Sequence, residues 1–509
     1  VLTLTFVIVF TYVLAPFYGI LPISNVNSLA IMFAGLGSLD CFTKMGMCMP
    51  CTYSGLPLGS YMLGGIPFAF TSSIIQILFD INVLGSYNLA GMIFLFIGWL
   101  GTFLIVRHFG GTKFLALFGG FLFLIMPIVW GKNGYFTLMW AFASFPIYVW
   151  LDIWFFNTKK IIFGSIIIFL SKIGLIFFDP YVFVMAASFS LAIMSYNFIL
   201  NLRLKPFKLK SFLRVSIIFF SLLSAYIFYK LYVPGGADYS VMPMDFFRGQ
   251  GIDLVAFFNR GLNIFAVSSF WNVSITNAKL FYTDGESVYH VYIGLGLLLT
   301  IPLMIVFSKQ IRPANWILLG VGLITLILSL GPSLKINDQR DPATITSKNI
   351  VFSDYMMPEE AATATMPHAS IFKIPPFKFM RSVSRWLLPT VLALIISLMV
   401  LISYLWNYNR RGKVLSLLVI LLIVFEYAPN FKHRAKIIEI TTSQFNLFNS
   451  TALNQFQANI TKDDLVLFIQ REGIINEYLS RYLCTNLECH TYNVSGDKAA
   501  QMSQKLWPE

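Results

Sequence analysis

Along the 509 residues, apolar runs close to twenty residues long recur with short polar breaks between them. That pattern fits neither the period-2 alternation of half-buried strands nor the single apolar stripe of soluble helices. An α-helix of such length crosses a bilayer with all its backbone polar groups bonded internally. Crossings are expected at 1–22, 86–106, 114–130, 135–156, 161–178, 181–200, 215–233, 288–307, 315–331, 386–406 and 414–428. The fold class is therefore a polytopic α-helical membrane protein with about 11 transmembrane helices. Composition agrees: 57% of residues are hydrophobic and 12% charged, against roughly 45–50% and 25% in a soluble domain. Soluble globular, disordered, collagen-like and coiled-coil classes are excluded.

A formal net charge of +13 first suggests a nucleic-acid partner, but its location decides otherwise. The short connections 107–113, 157–160, 201–214, 308–314 and 407–413 hold fourteen Lys or Arg and no Asp or Glu. The positive excess is thus a topology signal that places these connections, and the amino terminus, inside. No basic stripe with interleaved aromatics remains outside them, so no nucleic-acid partner is expected. The chain opens at Val1 in an apolar run. A short cytoplasmic leader is expected before it, with the first span a retained anchor or, alternatively, a signal peptide. Matching inverted halves, the usual pointer to a secondary transporter, are not visible.

The same topology puts 23–85, 234–287, 332–385 and a tail from about 429 outside, dividing the chain into a transmembrane domain, 1–428, and an extracytoplasmic domain, 429–509. The tail turns polar, with a strand expected at 464–470 and a helix at 471–483, a small α/β domain. All five cysteines, Cys41, Cys48, Cys51, Cys484 and Cys489, fall outside, where disulfides are permitted. Structural bridging, or a role as small packing residues, suits the CMPC at 48–51 better than a redox or zinc role. Sequons at Asn272, Asn449, Asn459 and Asn493 are also outside.

In the first outer loop, apolar segments 26–37 and 60–79 are expected to lie in the membrane interface or to re-enter it, since counting the second as a crossing would reverse every later loop. Between them Asp40 and Lys44 are the only charged residues from Val1 to Phe79. An isolated acid at a membrane surface costs free energy unless it is paired or used. Two readings of Asp40 follow: a functional carboxylate, or a helix cap or i,i+4 partner of Lys44.

Several sequence pieces resemble a known family in their order and outside placement. They are Asp40, YSGLPLG at 53–59, Pro67, GSYNLAG at 85–91 before a span ending in Arg107, FDPY at 178–181, ESVYHVYIGLG at 286–296, LSLGPSL at 328–334 and PPFKFMRSVSRW at 375–386. Together they resemble the GT-C superfamily of polytopic glycosyltransferases, in its bacterial, polyprenyl-phosphate-sugar-dependent branch. The resemblance implies inverting transfer of a sugar from a polyprenyl-phosphate donor to an envelope glycan or glycolipid acceptor on the outer face. It makes Asp40 the general base or a metal-linked activator of the acceptor. Relatives often carry two acids at this point and this chain carries one, which leaves open whether a divalent metal, magnesium or manganese, is a cofactor.

A carboxylate within reach of a sugar hydroxyl helps it attack, and guanidinium groups stabilise the leaving phosphate. Lys378, Arg381 and Arg385 are spaced by three and four residues, so one helical face before the span at Trp386 is expected to carry all three. The alternative for them is interfacial anchoring. Lys132, in the short outer turn GKNG, either reaches a phosphate or snorkels. Asp179, followed by Pro180, reads as an N-cap or a functional acid. Lys172, two helical turns earlier, is expected to pair with Asp179 or to serve a substrate cavity. Glu286 and His290 should share a helical face as a hydrogen-bonding pair or a sugar site. Competing functions are a flippase or transporter for lipid-linked sugars and a non-catalytic assembly subunit. Richness in Ile, Phe, Lys and Asn points to an AT-rich bacterial genome, hence to the cytoplasmic membrane.

Overall fold

The computed structural model describes residues 7–46, 51, 53–54, 56, 62, 64–132, 135–203, 209–232, 242–258, 280–282, 286–307, 313–341, 356–375, 377–380, 382–468 and 475–493. Arg381, Cys48 and the sequon at Asn272 lie outside these residues. The described residues are predominantly helical. The helices used below are α1 (Ala30–Met45), α2 (Ile66–Phe79), α3 (Val83–His108), α4 (Lys113–Ile125), α5 (Phe136–Asn157), α6 (Ile161–Phe178), α7 (Pro180–Arg203), α8 (Leu209–Tyr232), α9 (Pro313–Ser329), α10 (Leu387–Tyr408), α11 (Arg410–Tyr427), α12 (Phe431–Leu447) and α13 (Ile475–Leu487).

Among the described residues six helices are long and apolar enough to cross a membrane: α3, Thr137–Asn157 of α5, α6, Pro180–Ile199 of α7, α8 and Val383–Tyr408. Shorter apolar helices occupy Val7–Tyr18, α2, α4, Gly294–Val306 and Asn315–Ser329. The expected segment 414–428 lies in α11, which begins with Arg410, Arg411 and Lys413. Its buried Glu426 accepts the amides of Leu295 and Gly296 at 2.9 and 2.8 Å, satisfying the start of the neighbouring Gly294–Leu298 helix.

Hydropathy does not distinguish central from peripheral helices in such a bundle, because lipid is as apolar as a core; small residues and packing do. The span containing α10 is 94% buried, whereas that of α8 is 17% buried. Thr390 of α10 meets Thr325 of α9 at 2.9 Å, and a methyl group on Gly322 would come within 2.8 Å of Ala393. The closest approach joins α3 to α5. A Cβ at Gly91 would meet the Trp140 ring at 2.6 Å, one at Gly98 the Ala143 carbonyl oxygen at 1.8 Å, and one at Gly101 the Ile147 nitrogen at 2.4 Å. Because backbone cannot rotate away, Gly98→Ala is expected to push the helices apart at a cost of about 1–3 kcal/mol, read as a lower thermal midpoint in detergent.

Lys172 of α6 does not pair with Asp179. Its Nζ lies 2.7 Å from Asp152 on α5, with both side chains essentially fully buried, and it donates to Ser190 Oγ of α7 at 3.1 Å. Ser190 also donates to Asp152. Asp179 lies at the end of α6, so the partner of Lys172 is set by contact between helices and not by position along one helix.

The apolar segments 26–37 and 60–79 contribute the helices α1 and α2. On α2, Phe70, Ile74, Ile77 and Leu78 form an exposed face at helical spacing. Helix α1 packs along α13 of the tail, where a Cβ on Gly37 would meet the Tyr482 nitrogen at 2.8 Å. Disulfides join Cys41 to Cys51 and Cys484 to Cys489. The tail strand is short: Leu465–Val466 pairs in parallel with His490–Thr491. Beside it the sequon residue Asn493 is buried and its amide bonds both the Phe468 backbone and the Thr491 hydroxyl, which gives it a packing role.

Candidate functional site

Asp40 and Lys44 occupy successive turns of α1 and form an ion pair of 3.2 Å, so the pairing reading of Asp40 is observed. Pairing does not remove the carboxylate from access: its side chain keeps 16% exposure and that of Lys44 35%. Lys44 also donates to the Thr485 carbonyl at 2.8 Å, tying α1 to α13. Burial pushes the Asp40 carboxyl above its ordinary value, with the Lys44 cation working in the opposite direction. One turn earlier, Arg481 of α13 enters the same seam. Its Nε donates to Ser54 Oγ at 2.9 Å and its Nη1 to Ser38 Oγ at 2.6 Å. Burial lowers its pKa to about 10. Sequence reasoning missed Arg481, since no spacing rule links residues more than 400 positions apart.

Asp179 fulfils the capping expectation. Its Oδ1 accepts the Val182 amide at 3.0 Å, with Pro180 at the first helical position. It is also more than a cap. Asp179 is 7% exposed, and burial pushes its carboxyl up to about 6 against the opposing charge of Arg385. Arg385 itself lies over the Tyr181 ring, 5.0 Å from its centroid. The FDPY and RSVSRW segments, two hundred residues apart in the chain, therefore meet.

The single helical face expected for Lys378, Arg381 and Arg385 is not formed. Lys378 sits in a 3₁₀ turn, Phe377–Phe379, and Arg385 in another, Val383–Trp386, with non-helical Met380 and Ser382 between them. Stacking of Phe377 on Trp386, with centroids 5.6 Å apart, folds the segment back on itself, a closure that a continuous helix would prevent. Arg381 lies outside the described residues.

Glu286 and His290 likewise do not share a helix, because Glu286–Tyr289 ends before His290; the Glu286 side chain is not among those described. His290 packs instead on the turn after Trp130, where a Cβ on Gly131 would lie 2.5 Å from the imidazole. The charge of Lys132 acts on this ring. Lys132 is buried at 1% exposure, so it is not a snorkelling side chain. Arg434 of α12 comes to the same turn. Its guanidinium lies 5.0 Å from the Trp130 ring centroid and its Nε donates to the Phe17 carbonyl at 2.9 Å. It was hidden in the sequence within an ordinary charged stretch, KHRAK.

Among the described residues no three His, Cys, Asp or Glu side chains gather as a metal ion would need. Beside Asp40 stands the Lys44 ammonium, and the charge of Glu488 from the tail also acts on its carboxyl.

Neither a family model nor a curated protein matches the chain. Among solved structures, the archaeal oligosaccharyltransferase AglB from Archaeoglobus fulgidus, in complex with an inhibitory peptide and a dolichol-phosphate, aligns with a TM-score of 0.46 at 11% identity. That alignment covers 92% of this chain and 61% of the other. The apo form of the Archaeoglobus fulgidus oligosaccharyltransferase aligns with a TM-score of 0.45 at 10% identity, covering 93% and 62%. The chain thus spans about three fifths of the length of these structures.

Proposed function

We propose that this protein is a membrane glycosyltransferase of the GT-C kind, which moves a sugar from a polyprenyl-phosphate donor to an envelope glycan or glycolipid on the outer face. The observation that carries the reading is the meeting of Arg385 with Tyr181 and Asp179. It brings a guanidinium, an aromatic face and a carboxylate from two of the resembling segments to one place.

In the proposed step the acceptor hydroxyl oxygen attacks the anomeric carbon from the side opposite the phosphate. Asp40 takes the hydroxyl proton, the new C–O bond forms, and the old C–O bond breaks with its electron pair leaving on the polyprenyl phosphate. Arg385 stabilises the charge gathering there, with Lys378 and Arg381 as further cations of the same segment. Asp179 holds Arg385 in place. Lys132, Glu286 and His290 are assigned to substrate binding. No step runs through a metal.

The test is mass spectrometry of envelope glycans and glycolipids in cells lacking the protein, complemented with wild type, Asp40→Asn or Arg385→Ala. Loss of one sugar mass, accumulation of polyprenyl-phosphate-sugar and failure of both variants to restore the profile support the reading. Full restoration by Asp40→Asn sinks the catalytic assignment and favours a flippase or an assembly subunit.

Arg385 also makes a graded prediction. Arg385→Ala should lower turnover about 10²–10³-fold, as loss of one preorganised donor does, and Arg385→Lys should recover part of it because the charge returns without the planar fork. Asp179 supplies an independent readout. Its folded pKa lies above the ordinary 3.8, so the stability that it contributes is complete below that value and is lost as pH rises through about 6. Arg385→Ala removes the cation holding this value down. The fall in thermal midpoint with pH should therefore move to higher pH in the variant, and an unmoved profile would show that the two groups are not coupled.

A further inference from the structure

At the end of the bundle carrying the basic connections, a cavity of about 350 Å³ opens between the turn that follows α3, the last turns of α10, the start of α9 and the Gly294–Val306 helix. Its polar lining comes from Asn315, Ser403, Tyr404, Asn407 and Tyr408. Four of these lie on successive turns of α10, a helix whose earlier turns are almost entirely aliphatic. Met304 and Val400 supply an apolar floor. Gly110 lines the mouth with a φ of +100° and open space where a Cβ would point.

One residue lining this cavity indicates what it takes. Asn315 is 2% exposed, and among the described residues its Oδ1 has no hydrogen-bond partner. A buried acceptor without a donor costs free energy, so the cavity calls for a hydroxyl or amine. Asn407 spends its own amide on the Ser403 carbonyl at 3.0 Å, which leaves its Oδ1 as a second acceptor. The Tyr404 and Tyr408 rings lie 5.5 Å apart and offer two hydroxyls beside them. Around the mouth, connections 107–113 and 407–413 carry five Lys or Arg and no acid, a surface that attracts anionic lipid.

We propose that this cavity is an inner-leaflet site for an anionic glycerophospholipid with a hydroxylated headgroup. The headgroup hydroxyls donate to Asn315 and Asn407, the phosphate faces the basic connections, and the glycerol backbone rests on the apolar floor. The site stands apart from the proposed transferase centre, and its occupancy can be measured whatever reaction the protein performs.

The experiment is native mass spectrometry of the full chain in detergent, equilibrated with phosphatidylglycerol, phosphatidic acid or phosphatidylcholine. Phosphatidylglycerol should be retained about tenfold over phosphatidic acid, the scale set by leaving one buried acceptor unpaired. Asn315→Leu, which keeps the volume and removes the acceptor, should abolish that preference. Tyr408→Phe removes only a hydroxyl from a half-exposed side chain and should weaken it, providing a second variant in case the first does not fold. Equal retention of phosphatidylglycerol and phosphatidic acid would mean that basic charge alone holds lipid and would overturn the site. So would a preference untouched by both variants, or retention of none of the three.

Discussion

Asp40→Asn is expected to lower sugar transfer by about 10²–10⁴-fold, the contribution of a positioned general base, while the purified protein melts within a few degrees of wild type. The comparison matters because Asp40 also pairs with Lys44. A partly exposed ion pair of this kind contributes at most about 1 kcal/mol, a factor of roughly five in an equilibrium. A purely structural Asp40 would therefore show its effect in stability, with a turnover loss far below a hundredfold. Asparagine keeps the shape and an acceptor for Lys44, so the two outcomes separate cleanly. The pH profile adds a sign. Burial raises the Asp40 pKa, so the acid limb of turnover should lie above the ordinary carboxylate value. Lys44→Met, which removes the opposing cation, should carry it further up. A limb that stays fixed in Lys44→Met would detach Asp40 from the rate.

The second large effect lies inside the bundle. Lys172→Met is expected to destabilise the protein by about 3–5 kcal/mol, because it strands the Asp152 carboxylate in a buried position with only Ser190 beside it. Lys172→Met with Asp152→Leu should recover most of that loss, since a well-packed apolar pair is nearly equivalent to a buried ion pair. Denaturation of the single and double variants in the same detergent checks both statements. If Lys172→Met alone costs less than about 1 kcal/mol, the value typical of a solvated pair, water reaches the pair and the three helices are looser there than their packing indicates.

The contrast between these two acids shows what the sequence could reveal. Asp40 and Lys44 are neighbours on one helix, and spacing alone foretold their contact. The Asp179 cap was legible for the same reason, its partner being three residues away. Lys172 was misplaced because the nearest acid along the chain is not the nearest across a helix interface, where Asp152 waits twenty residues back. Apolar runs gave the positions of most long helices, yet similar runs in α8 and α10 ended respectively at the perimeter and at the centre. The glycines that bring α3 against α5 decide such questions, and their effect depends on which helix faces them. The three cations before Trp386 looked helical by spacing; the stacking of Phe377 on Trp386 overrode it. Arg481 and Arg434 were invisible, because their partners belong to the first sixty residues and to the turn at Trp130.

The seam between α1 and α13 has a consequence in time. Helix α1 emerges from the ribosome more than four hundred residues before its partner, and neither disulfide described links the two, since each closes within its own segment. A nascent chain thus carries Asp40 on a helix without its final support until Tyr482, Arg481 and Thr485 arrive to press on Gly37, Ser38 and Lys44. Completion of the seam is then a late event of biogenesis, and the carboxylate gains these surroundings only once residues 475–487 have been made.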